Sequence, residues 1–154
     1  MDTWDSKRTT EELLAVLPLL NRIVAAEVRR EVGDDTTMPQ FRVLAHLSER
    51  PLTLSELARR RRVTLQSMGE LAQVLVERGW IVRTPDPDDR RQQLLSLTAH
   101  GRAHYERAQA QAVAQLAPLL AQLAPAELAA VQAALPALRR VLAGDEDRQR
   151  TDKS

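Results

Sequence analysis

Apolar residues recur at steps of three and four along most of the chain, which is the spacing of one face of an α-helix. The first such stripe follows Thr9, which has capping-box spacing with Glu12, and contains Leu13, Leu17, Leu20, Val24 and Val28. A second stripe near the end of the chain contains Leu128, Val131, Leu135, Leu138 and Leu142. Its average step of 3.5 residues is typical of helices that pack against other helices. Both ends of the chain are therefore predicted to be long helices.

Shorter elements occupy the middle of the chain. Three helical stretches, "PQFRVLAHLSE", "LSELARRR" and "LQSMGELAQVLVER", begin at or just after the cap residues Thr37, Thr53 and Thr64. Gly79 is typical of the residue just past a helix, and "WIVRT" and "QQLLSL" follow as two strands around a charged turn. A long helix then begins after Thr98. The predicted fold class is mainly α with a small β-hairpin.

These elements divide the chain into four predicted parts. An N-terminal helix covers 1–36, a compact unit of three short helices and a hairpin covers 37–98, and C-terminal helices cover 99–143. Residues 144–154 are rich in charge and are predicted to be a disordered tail. The apolar stripes of the terminal helices need a partner, so we expect these helices to form a dimerisation domain; packing within one chain is the alternative.

Composition excludes several classes of protein. The 154-residue chain has no cysteine, which excludes disulfides and thiolate metal sites. No apolar run approaches the roughly 18 residues of a membrane span, and "MDTWDSKRTT" lacks the apolar part of a signal peptide, so we expect a cytoplasmic protein without a membrane partner. The sequence has no Gly-rich phosphate loop and no recognisable catalytic set. We therefore predict neither an enzyme nor a cofactor.

Positive charge is concentrated in the middle of the chain. The net charge is only +1, yet residues 50–91 contain nine arginines against six acidic residues, with clusters at "RRRR" and "DDRR". A run of charge alone indicates no more than a solvated surface. These clusters are informative because one lies at the break between two short helices and the other in the turn of the hairpin.

The two short helices around this break have the dimensions of a helix-turn-helix. Ala58 is small enough to let them approach closely, and the expected core face of the second helix is Val63, Met68, Leu71 and Leu75. The opposite face carries polar side chains long enough to reach base edges in a major groove. The residues predicted to contact DNA here are Arg62, Thr64, Gln66, Ser67, Glu70 and Gln73.

A helix-turn-helix followed by a two-stranded hairpin is a winged helix, whose hairpin is called the wing. Arginine at the wing tip suits a narrow minor groove, because the negative potential there attracts a guanidinium. Neighbouring aspartates can brace such an arginine through charge-assisted hydrogen bonds. Two copies related by a two-fold axis reach successive major grooves about one turn apart, so the expected partner is double-stranded DNA with a palindromic operator.

Four consecutive stretches resemble the MarR family (multiple antibiotic resistance regulators): "MPQFRVLAHL", "PLTLSELARRRRVT", "LVERGWIVRTPDPDDRR" and "LSLTAHGRAHYERA". The family's Asp-x-Arg wing motif falls on Asp89 and Arg91. The resemblance implies that Arg91 enters the minor groove, that Asp89 orients it and that Arg90 lies nearby. It also implies an obligate homodimer that acts as a repressor and is released by a small-molecule effector. Glu70 and Gly69 depart from the family's basic and hydroxyl residues, so the operator sequence does not follow from the resemblance.

The same resemblance implies a ligand pocket beside the second helix. Phe41, Arg42 and His46 lie on one side of that helix, and Asn21 and Arg22 on the first helix could face the same cleft. Arg42 could pair with an anionic ligand such as an aromatic carboxylate. The alternative is a surface arginine next to a core phenylalanine. Trp80 is expected to pack into the core at the base of the hairpin.

Two other functions remain open from the sequence. His100 and His104 have the four-residue spacing that lets two imidazoles share a metal, and His46 is a possible third ligand, which would make the protein a metal-sensing regulator. The alternative is that these histidines are surface or packed residues. Glu70 and Gly69 also allow a winged-helix protein-interaction module that does not bind DNA.

Overall fold

The computed structural model describes residues 3–32 and 37–151, and its order of elements agrees with the predicted fold class. The elements are α1 (Thr3–Val32), α2 (Met38–Glu49), β1 (Leu52–Thr53), α3 (Leu54–Arg60), α4 (Leu65–Glu77), β2 (Ile81–Pro85), β3 (Gln93–Leu97), α5 (Ala99–Leu120) and α6 (Pro125–Thr151). The chain divides into two compact units, residues 1–113 and residues 114–154. The winged helix lies in the first unit.

The short helices begin at the predicted cap residues. The N–H of Thr37 donates to Gln40 Oε1 at 3.1 Å, which closes the capping box of α2. In α3 the N–H of Thr53 donates to Glu56 Oε2 at 2.8 Å, and the N–H of Glu56 donates back to Thr53 Oγ1 at 3.2 Å. Thr64 Oγ1 accepts the N–H of Ser67 at 3.1 Å at the start of α4. These caps satisfy N–H groups that have no partner within the helix.

The start of α1 differs from the prediction. Thr9 does not cap a helix, because α1 already begins at Thr3 and the Thr9 hydroxyl donates to the carbonyl of Asp5 at 2.7 Å. A threonine inside a helix can satisfy its hydroxyl on the carbonyl four residues back, so capping-box spacing alone does not mark a helix start.

A three-stranded antiparallel sheet in the order β1-β3-β2 joins the helix-turn-helix to the wing. Ile81 pairs with Leu97 and Pro85 with Gln93 in the predicted hairpin. The strand β1, in which Leu52 pairs with Leu95, was not predicted from the sequence. Two residues are too few to show an alternating pattern, so only the pairing with β3 reveals this strand.

Two clusters of buried apolar residues hold the first unit together. The larger cluster packs α2, α3, α4 and the sheet around Leu44, Leu57, Met68, Leu75 and Leu95. The smaller cluster joins α1, α2 and α5 through Val28, Phe41 and Ala108. Phe41 also packs against Tyr105 with ring centroids 5.3 Å apart.

One residue that was predicted to lie in the core, Val63, is exposed in the turn between α3 and α4. Ala58 is buried as expected, but Val63 is 43% exposed. Arg62 has a left-handed backbone (φ 52°), and the N–H of Val63 donates to the carbonyl of Ala58 at 3.0 Å. This 6→1 hydrogen bond ends α3 as a Schellman motif, which brings the backbone of Val63 back to α3 while its side chain remains accessible.

Trp80 packs into the core at the base of the hairpin, as predicted. The residue is 7% exposed, and its indole stacks on the His104 imidazole at 4.2 Å between ring centroids and lies under the Arg78 guanidinium at 5.0 Å. Gly79 precedes it with a left-handed backbone (φ 69°). The Trp80 carbonyl accepts the N–H of Thr98 at 3.0 Å, which joins the hairpin base to the start of α5.

The predicted disordered tail after residue 143 is wrong for most of its length. The backbone of α6 is helical as far as Thr151. No proline follows Gly144, and a single glycine weakens a helix without ending it. High charge density was therefore insufficient evidence of disorder. Residues 152–154 of the predicted tail lie outside the described residues, as does the predicted end of the first helical segment at 33–36.

Candidate nucleic-acid interface

α4 has one buried face and one exposed polar face. Met68, Ala72 and Leu75 are buried against the larger core cluster. The predicted DNA-contacting residues of α4 and its cap are all exposed: Thr64, Gln66, Ser67, Glu70 and Gln73. The structure thus brings these five residues together on one accessible surface.

Several of these side chains are hydrogen-bonded to one another. Gln66 Nε2 donates to Glu70 Oε1 at 3.2 Å, and Thr64 Oγ1 donates to Ser67 Oγ at 2.9 Å. Glu70 therefore holds the amide of Gln66 across one helical turn. The carbonyl oxygen of that amide remains an acceptor that can face outward.

Arg83 on β2 links the wing to α4, a connection that was not predicted from the sequence. Its Nη2 donates to Gln73 Oε1 at 3.3 Å, while Gln73 Nε2 donates to Glu77 Oε1 at 3.1 Å. The ten-residue separation of Arg83 and Gln73 has no helical or strand periodicity that would indicate contact. Only the docking of β2 beside α4 brings the two side chains together.

The wing tip is ordered by aspartate side chains that accept backbone N–H groups. Asp86 Oδ1 accepts the N–H of Asp88 at 2.9 Å, and Asp89 Oδ1 accepts the N–H of Arg91 at 3.0 Å. Asp89 Oδ2 also accepts Gln92 Nε2 at 3.2 Å. A short aspartate side chain commonly bonds the N–H two residues further on, and this closes an Asx turn.

This geometry changes the expected relation between Asp89 and Arg91. The carboxylate contacts the Arg91 backbone rather than its guanidinium. Within residues 3–32 and 37–151, the Arg91 guanidinium forms no ion pair or hydrogen bond. Arg90 and Arg91 are both exposed, as is Arg62 in the turn before α4. All three predicted arginines are accessible on the winged-helix unit.

A cleft of about 690 Å³ is lined by residues of α3 and of the wing tip. Its charged lining includes Arg50, Arg59, Asp86 and Asp88. Arg50 Nη2 is 3.2 Å from Glu56 Oε1. Burial alone would raise the pKa of the Glu56 carboxyl, but the N–H of Thr53 and the Arg50 guanidinium lower it by more, so the pKa lies below its ordinary value of 4.5.

The predicted ligand residues separate into two groups. Arg42 Nη2 donates to Asn21 Oδ1 at 3.0 Å and so joins α2 to α1, and Arg22 and His46 are exposed and half-buried, respectively. Phe41 instead belongs to the smaller core cluster. The core position of this phenylalanine agrees with the alternative raised above.

A second guanidinium lies near Arg42. Burial and the positive charge of Arg42 lower the pKa of Arg61, the C-cap residue of α3. Neither arginine forms an ion pair with a carboxylate in the part of the chain that the structure describes. Arg61 was not predicted as a ligand residue because no sequence pattern relates the end of α3 to the face of α2.

Among the described residues, no group of three or more His, Cys, Asp or Glu side chains could hold a metal ion. His104 is buried against Trp80, whereas His100 is exposed. In addition, no helix in the described ranges is long and apolar enough to span a bilayer.

Comparisons with known proteins agree with this architecture. The sequence profile of the MarR family matches residues 34–92. The chain is 32% identical to RV1404 from Mycobacterium tuberculosis, over 92% of this chain and 95% of that one, with a TM-score of 0.78. It is also 32% identical to the Mycobacterium tuberculosis MarR family protein Rv2887 in complex with p-aminosalicylic acid, over 84% and 96% of the two chains, with a TM-score of 0.65.

A curated relative matches a shorter stretch. The chain is 39% identical over 88 residues to the "HTH-type transcriptional repressor Rv2887" of Mycobacterium tuberculosis. This match covers 56% of the present chain and 63% of the relative, so it spans less than two thirds of the curated protein.

Proposed function

Because the chain belongs to the MarR family, we propose that it is a dimeric, sequence-specific DNA-binding regulator that represses transcription until a small anionic ligand releases it. The observation that carries this proposal is the joint placement of α4 and the wing. α4 exposes a polar face, the wing exposes Arg90 and Arg91, and the hydrogen bond between Arg83 and Gln73 ties the two elements together. The name of the curated relative, a transcriptional repressor, supports the same function.

Docking of α4 and the wing uses two different kinds of recognition. α4 enters a major groove, where its first turns meet base edges. The wing then reaches the adjacent minor groove, whose negative potential attracts Arg91. Asp89 orients Arg91 through the backbone, so the guanidinium keeps all of its donors for phosphate or base. This arrangement explains how an aspartate can favour binding to a polyanion.

Dimerisation sets the distance between the two copies of α4. In α1 the stripe that contains buried Val28 continues into exposed Leu13, Leu17 and Leu20. In α6 Val131 and Leu135 are exposed. We infer that a second copy covers these surfaces, because both are apolar over several helical turns. The operator is then an imperfect palindrome with half-site centres about 10 base pairs apart.

The DNA-binding proposal is tested by selecting fragments from random DNA with the purified full-length protein and measuring their affinity by fluorescence anisotropy. Arg91→Ala is expected to weaken binding to the selected site and to random DNA alike, because its contribution is electrostatic and shape-dependent. Arg29→Ala removes an equally charged, exposed residue from α1 and is the matched control.

The Asp89→Ala variant tests whether Asp89 acts by orienting Arg91 or only through its negative charge. Loss of an acidic residue should strengthen binding if only charge matters, whereas loss of the Asx turn should weaken it. Tighter binding by this variant would refute the orienting role. If the protein enriches no DNA and shows no salt-dependent DNA binding, the hypothesis of a winged-helix protein-interaction module is favoured instead.

The proposed effector is an aromatic carboxylate that binds between Arg42 and Arg61. The carboxylate would replace Asn21 as the partner of Arg42 and neutralise both guanidinium groups. The complex of Rv2887 with p-aminosalicylic acid supports this chemical class. Arg42 is hydrogen-bonded to Asn21 of α1, and Arg61 is the C-cap of α3, the first helix of the helix-turn-helix. An anion held by both arginines would therefore affect the positions of α1 and α3. A tenfold loss of operator affinity needs about 1.4 kcal/mol of preference for the released conformation.

Titration with p-aminosalicylate tests the effector proposal. Calorimetry should detect binding to the wild type and several-fold weaker binding to Arg42→Gln and Arg61→Gln, with Arg29→Gln as the matched control. The ligand should also lower operator affinity in the wild type. Equal ligand binding by all three variants would refute this site, and a response to zinc alone would favour the metal-sensing alternative.

A further inference from the structure

Leu65 is an exposed apolar residue on the part of α4 expected to approach the bases most closely. It is the first residue of the helix and is 53% exposed. Its neighbours Thr64 and Gln66 are both hydrogen-bonded to other side chains of the same helix. A helix-turn-helix protein contacts base edges mainly through the first turns of its second helix. Leu65 therefore lies among the residues expected to read the DNA sequence.

Gly69 lies one turn further along the same strip of α4, because residues four apart share a helix face. Glycine destabilises the interior of a helix relative to alanine. A Cβ added at Gly69 would meet only Leu54 Cδ2, at the ordinary contact distance of 3.8 Å. Packing within the chain therefore does not require a glycine here. Exposed Leu65 and half-buried Gly69 together form a ledge on one side of α4, with room for a Cβ at Gly69.

We propose that Leu65 recognises the 5-methyl group of a thymine in the major groove, and that Gly69 leaves room for that base pair to approach α4. This inference rests on the proposed DNA-binding function and adds the chemical group that one side chain reads. Thymine is the base that presents a methyl group in the major groove, whereas the other base edges present hydrogen-bond donors and acceptors. A leucine placed against those groups would remove their water without replacing its hydrogen bonds.

The experiment uses the full-length protein and a fragment selected from random DNA. Each thymine of the site is replaced in turn by deoxyuridine, at the equivalent position of both half-sites. Deoxyuridine keeps every hydrogen-bonding group of thymine and lacks only the methyl group. Replacement at one position is expected to lower the affinity of the protein for the site about fourfold per half-site, which corresponds to burying a single methyl-sized group.

The Leu65→Ala variant identifies the side chain responsible. It should bind the thymine site more weakly, and uridine at the sensitive position should have no further effect. Leu119→Ala removes a similarly exposed leucine from α5 and should keep the full uridine effect. Gly69→Ala, which places a methyl group on the ledge, should weaken binding to the thymine site several-fold.

The outcomes separate this inference from the proposed function. A uridine effect that persists undiminished in Leu65→Ala, or a selected site at which no uridine replacement matters, would overturn thymine recognition and leave DNA binding intact. Unchanged affinity in Gly69→Ala would overturn the role of the glycine. If the selection enriches no DNA, the proposed function fails and the inference fails with it.

Discussion

Gly101→Ala is expected to destabilise the protein, although alanine is the better helix former. Gly101 is buried in the first turn of α5, against the base of the hairpin. A Cβ at this position would lie 1.9 Å from the carbonyl oxygen of Trp80 and 2.7 Å from its carbonyl carbon. That oxygen also accepts the N–H of Thr98 at 3.0 Å. The alanine can therefore fit only if backbone at the start of α5 or at the hairpin base moves.

The size of the effect follows from two opposing contributions. Overpacking a well-packed site costs about 1–3 kcal/mol, and the approach to backbone atoms places Gly101→Ala at the upper end of that range. Alanine recovers roughly 0.5–1 kcal/mol of helix propensity. The net loss is about 2 kcal/mol in the free energy of unfolding. For a chain of this length, that loss lowers Tm by roughly 4–8 °C.

Gly69→Ala is the matched control, since it is the same substitution inside another helix of the same unit. Its Cβ would meet Leu54 at 3.8 Å, so only the gain in helix propensity remains, about 0.5–1 kcal/mol of stabilisation. Both variants and the wild type are unfolded in urea at one protomer concentration, because the proposed dimerisation would make stability concentration-dependent. Circular dichroism at 222 nm reports the transition. A Gly101→Ala protein as stable as wild type would refute the close-contact argument.

Three further predictions concern α3, α4 and α6. Glu56→Gln keeps an acceptor for the Thr53 capping box but cannot titrate. Because folding lowers the Glu56 pKa, the wild type's stability advantage over this variant should be present above pH 4.5 and decline as the pH falls further. A pH-independent difference in urea unfolding would contradict this prediction. Gln66→Ala and Gln73→Ala should each lose about 1–3 kcal/mol of affinity for a selected operator, with little change on random DNA. Equal losses on operator and random DNA would show that these side chains contact the DNA backbone instead of the bases. Leu135→Asp should lose the dimer in analytical ultracentrifugation together with operator affinity, and a folded monomer that binds at full strength would refute the dimer.

Caps and glycines that depend on neighbouring residues were predictable from the sequence. Thr37, Thr53 and Thr64 act through backbone N–H groups within three positions, so a short motif contains the whole interaction. The left-handed conformation of Gly79 was predictable for the same reason, because it follows directly from the end of a helix. The burial of Trp80 was also predicted, although its stacking on His104 of α5 is a tertiary contact. Thr9 has a similar local spacing, but the helical residues before it provide another acceptor and remove the need for a cap.

The arrangement of side chains from different elements required the tertiary structure. β1 becomes a strand only because β3 lies beside it, and Val63 remains exposed because of the backbone turn at Arg62. Arg83 meets Gln73, and the charge of Arg42 helps to lower the pKa of Arg61, although no periodicity relates either pair.

For this protein, the sequence by itself determined the mainly helical fold, the two-stranded wing and the polar face of α4. Those features arise from residues close together in the chain, where periodicity and turn preferences act directly. Only the tertiary structure decided that the Asp89 carboxylate accepts the backbone N–H of Arg91, that Leu65 is exposed, and that a Cβ at Gly69 would fit without a clash. Hydrogen-bond direction and free space depend on the three-dimensional position of each atom, and a one-dimensional pattern of residue types does not contain that information.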